Sequence, residues 1–324
     1  SGYNLEIGIT TDIEATIKEE GEIVVSAKLF LDIVRRLPEE IVFIETDERM
    51  VTYIACGKVN YQIVGMSSVE YPDLPSFEQT DRITLNAKIL RDMIRQTVYA
   101  VSENTAKPIY TGSLYEIEDG VFKIIAIDGY RMAIRSENVD SESKNRFVVP
   151  GKTQHEVLKL LTDDEENTEI IIGQRHITFK IKNYRIISRL IEGTFIEYKS
   201  AIPKETKTEV VINTRTIIDA VERMSLLNND RIQSPVRCIF SDDEIKLSCT
   251  SAVGRANDVI SVPIIGESVE IGFNNRYLLD ALKNADTDEI KLILNGSLTA
   301  MIVKPVKGDS YLSIVVPMRL ANEN

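Results

Sequence analysis

The chain is poor in the side chains that most often carry catalysis. Its 324 residues include two histidines, His155 and His176, and three cysteines, Cys56, Cys238 and Cys249. The histidines have no metal-ligand partners at useful spacing, and no Walker-type loop, Gly-x-Ser-x-Gly or His-Glu-x-x-His motif occurs. A nucleophile or metal, a tuned acid or base and a group for developing charge cannot be assembled from these residues. An enzyme is therefore the minority reading, with no catalytic residue, cofactor or metal site expected. Asp128-Gly129, after the apolar run 123–127, reads as a turn rather than a catalytic aspartate. Cysteines in odd number, without Cys-x-x-Cys spacing and in or beside strand patterns, predict buried reduced thiols and a cytoplasmic protein. No run reaches the about 18 apolar residues of a membrane span, and no charged-then-apolar leader opens the sequence.

Net basicity is missing too. Fifty acidic residues against 38 Lys and Arg give a formal charge of −12, which repels phosphate at long range. The distribution matters more than the sum. Acidic residues gather in turns such as 163–166 and 286–289, whereas cations recur on amphipathic helices. Over 87–100, Lys88, Arg91 and Arg95 lie opposite Leu90, Met93, Ile94, Thr97 and Val98. From Lys152 onward, Lys152, His155 and Lys159 oppose Val157, Leu158, Leu160 and Leu161. Lys28 and Arg35 oppose Leu29, Phe30, Ile33, Val34 and Leu37. Arg215 with Arg223, and Arg276 with Lys283, occupy later polar faces diluted by Asp219, Glu222 and Asp280. One basic helix face is ordinarily a solvated face. Its recurrence on equivalent helices suggests a surface built by repetition.

Repetition is what the chain has in quantity. Residues 22–46 (EIVVSAKLFLDIVRRLPEEIVFIET), 146–173 (RFVVPGKTQHEVLKLLTDDEENTEIIIG) and 269–295 (VEIGFNNRYLLDALKNADTDEIKLILN) each read strand, polar turn, amphipathic helix, acidic turn, strand. Their spacing of roughly 120 residues marks tandem domains rather than a solenoid. Residues 83–102 and 210–227 also read strand, turn, helix, so each module holds two half-modules. Strand pairs are expected at 114–117 with 122–126, 236–240 with 245–249, 50–55 with 60–64, 177–181 with 185–190, and 301–306 with 311–316. The expected fold class is α+β, in tandem domains with helices on one side of antiparallel sheets. Linkers at 71–75 and 202–205 set the expected domains at 1–80, 81–205 and 206–324, the first lacking its first half.

Residues 107–135 (KPIYTGSLYEIEDGVFKIIAIDGYRMAIR) and 311–320 (YLSIVVPMRL), with 5–9 (LEIGI), 70–75 (EYPDLP) and 269–277 (VEIGFNNRY), resemble the bacterial sliding clamps, the beta subunits of DNA polymerase III. The resemblance runs over the whole chain. It implies three domains of like fold, a head-to-tail homodimeric ring around duplex DNA, and partner peptides from polymerases, the clamp loader and repair proteins. Positions matching the family's peptide pocket are Tyr110, Ile127, Gly129, Tyr130, Arg131, Met132, Ile196, Ala201, Ala300, Ile314, Val315, Val316, Pro317, Met318 and Arg319. The alternative for Ile314, Val315, Val316 and Met132 is plain core strand. The DNA-facing set is Lys28, Arg35, Lys88, Arg91, Arg95, Lys152, Lys159 and Arg215, joined by the loop positions Asn104 and Lys107. Tyr61 and Ile63 match one half of the dimer interface, Leu226 and Leu227 the other. Three departures stand out: Phe195-Ile196-Glu197-Tyr198 replaces a Phe-Pro-Asp-Tyr pattern, Tyr110 a smaller aliphatic residue, and Ile127 a threonine. The runner-up reading is a repeat-built peptide-binding scaffold that never encircles DNA.

Overall fold

Four of the amphipathic helices follow a short extended segment and a polar capping residue; the helix Gly151–Leu160 follows Pro150 instead. In the computed structural model, which describes residues 1–76, 78, 81–162, 166–228 and 234–320, Ser26, Asn86, Asn213 and Asn274 cap four of the five helices by accepting hydrogen bonds from backbone N–H groups of the first turn. The acidic residues at 163–165 and the tail 321–324 lie outside the described residues.

In chain order the elements are β1 (Gly2–Tyr3), β2 (Ile7–Thr11), α1 (Ala27–Val34), β3 (Val42–Thr46), β4 (Val51–Cys56), β5 (Val59–Val64), β6 (Asp81–Asn86), α2 (Ala87–Val98), β7 (Gly112–Glu118), β8 (Val121–Ile127), β9 (Arg131–Asn138), β10 (Asn145–Pro150), α3 (Gly151–Leu160), β11 (Asn167–Ile172), β12 (His176–Ile181) and β13 (Tyr184–Arg189). There follow β14 (Thr208–Asn213), α4 (Thr214–Ser225), β15 (Val236–Ser241), β16 (Glu244–Ser251), β17 (Gly254–Ser261), β18 (Ile264–Gly266), β19 (Val269–Phe273), α5 (Asn275–Lys283), β20 (Glu289–Leu294), β21 (Met301–Pro305) and β22 (Tyr311–Val315). A unit of strand, helix and three strands recurs: β6 to β9, β10 to β13, β14 to β17 and β19 to β22. The segment through α1 to β5 repeats it with only a bridge, Val24 to Met66, before the helix.

Four strands escape the sequence reading: the short β1 and β18, and the full-length β9 and β17. Both β9 and β17 are the third strand of their unit, and both are interrupted by charge: Arg131 and Arg135 in β9, Arg255 and Asp258 in β17. In β9 these charges are neutralised inside the protein, Arg131 by Asp128 and Arg135 by Glu137. β17 is a sheet edge, where polar side chains are tolerated because they face water.

The sheets are antiparallel and run across the repeats. The order β1-β2-β13-β12-β11-β6 joins the amino-terminal repeat to the central one through Ile9 opposite Ile186. A larger sheet, β10-β7-β8-β9-β22-β21-β20-β14-β18, joins the central repeat to the carboxyl-terminal one through Met132 opposite Ile314. The orders β17-β16-β15-β19 and β3-β4-β5 complete the set, with β17 and β19 at the edges of the first and β3 and β5 at those of the second.

Helix α2 buries Leu90, Met93 and Ile94 completely, each contributing about 1.5–3 kcal/mol by leaving water. They pack with Tyr115, Phe122, Phe179 and Ile186 as the central core. An equivalent core in the carboxyl-terminal repeat gathers Ile217, Val221, Phe240, Phe273 and Leu282. The amino-terminal core is small: Ile33, Ile54 and Ile63, with Val25, Phe30 and Leu37 at its margin. All three cysteines are buried free thiols, as their strand setting predicts, and burial pushes the Cys238 thiol up to about 12.

Candidate nucleic-acid interface and peptide groove

Four helices stand in one row. Helix α3 packs on α2, and α5 on α4. The two pairs meet where Arg95 Nη2 reaches Asp286 Oδ2 at 2.5 Å and Gln96 Nε2 donates to the Asn284 carbonyl at 3.0 Å. The order α3-α2-α5-α4 thus crosses the boundary between repeats, α2 meeting the C-cap of α5 and the turn after it. Buried faces of α2 and α4 point into the sheets, so the polar faces form the opposite surface.

Lys88, Lys152, Lys159 and Arg215 are exposed on this surface, while Arg91 and Arg95 are half-buried. Their charge is moderated locally. Lys159 pairs with Glu156 at 2.8 Å, Arg215 with Asp219 at 2.8 Å, and Lys283 with Glu222 at 2.7 Å. Arg95 departs from its expected role, because its guanidinium is taken up by Asp92 at 3.3 Å and by Asp286. It fastens two repeats together. Among the described residues Lys88 makes no ion pair, nor do Lys28 and Arg35, which are exposed on α1. Asn104 shapes the loop before β7 by accepting from the Ala106 amide at 2.9 Å, and Lys107 places its ammonium 5.9 Å from the Tyr110 ring. Lys107 therefore sits against the groove as well as at the loop.

The groove lies on the other face of the joined sheet, where Leu114, Ile125, Met132, Val148, Ile302 and Ile314 form an apolar floor. The linker after β13 crosses this floor and buries Phe195 and Tyr198 in it. The Tyr198 hydroxyl donates to Glu116 Oε1 at 2.7 Å, which fixes the crossing. Tyr110 meets Phe195 edge-on, with centroids 5.8 Å apart. Ile127, Ala300, Pro317 and Met318 remain half-open, while Ile196, Ala201, Gly129, Tyr130, Val316 and Arg319 are exposed. Gly129 has φ +94°, a conformation that suits glycine at the tip of the turn. The closing tail is held by Met318 N donating to the Gly272 carbonyl at 2.8 Å. A Cβ at Gly272 would stand 2.6 Å from Leu320, so glycine lets the tail lie flat.

Strand alternation separates the expected pocket residues. Met132 and Ile314, paired in register, are only 2% and 3% exposed on the groove face and form its covered floor. Arg131 and Val315, the neighbouring pair, point inward, Val315 into the carboxyl-terminal core. Neither lines the groove directly. Arg131 is 6% exposed and salt-bridged to Asp128 at 3.0 Å and to Asp280 of α5. Its guanidinium lies 4.6 Å from the Tyr277 ring and 5.4 Å from the Tyr99 ring. The Tyr99 hydroxyl also meets those of Tyr311 and Ser313, and burial pushes its pKa up to about 12. Sequence reasoning missed Tyr99, Tyr277 and Asp280 as site residues. Tyr99 closes α2, Tyr277 lies in the first turn of α5 and Asp280 in its middle, with no local signal, and only the joining of β9 to β22 brings them together.

At the sheet edges, Tyr61 is partly exposed on β5, but Ile63 is 6% exposed and packed with Ile33 and Ile54. It supports that edge from inside. Leu226 is 82% exposed at the end of α4, whereas Leu227 packs on the core. Val253 and Val259, in and beside β17, are exposed too.

Sequence profiles of the DNA polymerase III beta subunit match in three pieces: its N-terminal domain over residues 1–75, its central domain over 84–197 and its C-terminal domain over 199–319. The beta sliding clamp of Halalkalibacterium halodurans is 34% identical over 322 residues, covering 97% of this chain and 84% of the relative. That of Bacillus subtilis is 32% identical over 309 residues, covering 94% and 82%. Among solved structures, the Bacillus subtilis sliding clamp superposes with a TM-score of 0.94 at 32% identity, covering 98% of this chain and 87% of that one. A putative DNA polymerase III beta subunit from Eubacterium rectale gives 0.93 at 32% identity, covering 97% and 86%.

Proposed function

Because this chain belongs to the DNA polymerase III beta subunit family of sliding clamps, we propose that it works as a non-catalytic ring that encircles duplex DNA through the row α3-α2-α5-α4 and holds partner peptides in the groove behind it. The observation that carries this reading is the helix row, polar outward, that is tied together across the seam between two repeats. A wall so built meets phosphates without reading bases. Its cations are largely matched by carboxylates beside them. Each phosphate neutralised would release counterions and strengthen the grip, so a moderated wall favours sliding. Retention then comes from topology, and tethering raises the effective concentration of a bound polymerase at the primer end.

The domain assignment 1–80, 81–205 and 206–324 is supported by the recurring strand-helix-three-strand unit and by the three profile matches. Ring closure would join the open edge of β5 near Tyr61 to that of β17, with Leu226 as an apolar contact, in a homodimer. The groove suits an extended peptide with leucine or phenylalanine anchors, since side chains filling desolvated pockets dominate such binding. Polymerases, the clamp loader and repair proteins are the partners this reading implies, in the cytoplasm at the nucleoid; no helix among the described residues is long and apolar enough to cross a membrane.

Loading on nicked circular DNA tests the ring. The protein should stay bound until the circle is linearised and then run off the ends. Equal loss from circular and linear templates would favour a scaffold that binds peptides without enclosing DNA.

A further inference from the structure

The exposed wall of the groove is Tyr130, 60% exposed at the tip of the turn between β8 and β9. Nothing on its own strand explains why so exposed a ring should keep one position. The support comes from beneath. Asp128 Oδ1 accepts from the Tyr130 and Arg131 amides at 2.8 and 3.0 Å, and Asp128 Oδ2 accepts from Arg131 Nε at 3.0 Å. The Tyr130 carbonyl accepts from the Val316 amide at 2.8 Å, which ties the turn to the closing segment. The turn is thus clasped by the guanidinium of its own next residue.

That guanidinium is held in turn by the neighbouring repeat. Arg131 Nη1 pairs with Asp280 of α5, and its plane rests between Tyr277 of α5 and Tyr99, which caps α2. Tyr277 also stacks on Tyr130 itself, with centroids 5.8 Å apart and planes 20° from parallel. Arg suits this place because a planar fork can serve two carboxylates while stacking on rings, which an ammonium cannot.

From this chain of contacts we infer that Asp280 is a positioning residue for partner-peptide binding: acting through Arg131 and Asp128 it fixes the Tyr130 wall, although it lies on a helix of the next repeat. The inference rests on the groove reading above and deepens it. A carboxylate in one repeat sets the shape of a wall supplied by another, so the groove is complete only when α5 is seated against α2. Removing Asp280 leaves a nearly buried guanidinium with one carboxylate instead of two, which frees it to turn and loosens the turn it clasps.

The test is a double-mutant cycle read by fluorescence anisotropy with a labelled hexapeptide carrying leucine and phenylalanine anchors. Tyr130→Ala should weaken binding by about tenfold, as expected for an interface aromatic. Asp280→Ala should weaken it by about fivefold without touching the peptide, while in the Tyr130→Ala background the same change should cost less than about twofold, because coupled residues are non-additive. Asp280→Glu should recover most of the affinity and Asp280→Asn should not, a discrimination that mere packing would not produce. Unchanged affinity in Asp280→Ala, or the full loss persisting without Tyr130, overturns the inference while leaving the groove intact. Where Asp280→Ala fails to fold, the Asn variant, isosteric with aspartate, and the Glu variant, which keeps its charge, carry the same comparison, and equal affinities for the two overturn it. Failure of the wild-type protein to bind the probe removes the groove reading itself, and this inference with it.

Discussion

Helices α1 and α2 carry the same kind of pattern and meet different fates. Both are capped by a short polar side chain, and both set apolar residues at helical spacing. In α2 the apolar stripe disappears into a core shared by two sheets. In α1 only Ile33 is fully buried; Leu29, Leu31 and Val34 are 48%, 46% and 43% exposed. Periodicity decides which face is apolar, whereas burial depends on what the rest of the chain brings against it.

The largest expected contrast is in stability. Leu90→Ala should cost about 3 kcal/mol, within the range for an enclosed leucine, and Leu29→Ala less than about 1 kcal/mol, both read from urea unfolding. Equal losses would mean that α1 is covered as fully as α2 in solution. Native-state hydrogen exchange sharpens the point: amides of β4 and β5, resting on a three-isoleucine core, should open at lower denaturant than those of β15 and β16.

A smaller effect separates the regions by pH. Tyr99, which joins the central helix to β22, has its folded pKa raised from 10.0 to about 12 by burial. Its contribution to stability is complete below pH 10 and drains away between pH 10 and about 12, because the unfolded chain releases its proton first. Thermal unfolding of wild type should therefore fall more steeply than that of Tyr99→Phe over that window. Parallel curves would show that the hydroxyl is open to solvent.

The smallest contrast is in the ion pairs. Asp286→Ala breaks the tie to Arg95 between repeats, but the aspartate is 56% exposed, so the loss should stay below about 1 kcal/mol. Asp32→Ala, whose partner Arg36 stands 3.8 Å away on the surface of α1, should change unfolding by no measurable amount.

Much of the fold was legible because it depends on local signals. Asn86, Asn213 and Asn274 announce helices by capping chemistry, and turns such as 118–120 announce hairpins. The groove was legible by resemblance only as a set of positions. Which of them face it follows from the pairing of β9 with β22, and nothing near Arg131 in sequence discloses that Asp280 waits on the other side. Arg95 teaches the same lesson, since its amphipathic position is right for a polar face and its partner Asp286 is 191 residues away. Long-range pairing also explains why β9 and β17 passed unseen: their charges read as loop until the ion pairs and the sheet edge are known.

The account turns on one surface facing DNA and the opposite one facing outward. A photo-crosslinking side chain at Lys88 of α2 or Arg215 of α4, in protein loaded on circular duplex DNA, should attach to the sugar-phosphate backbone. The same group at Val211, which points away from the core on β14, should not. Attachment from Val211 and none from either helix would contradict the proposed wall.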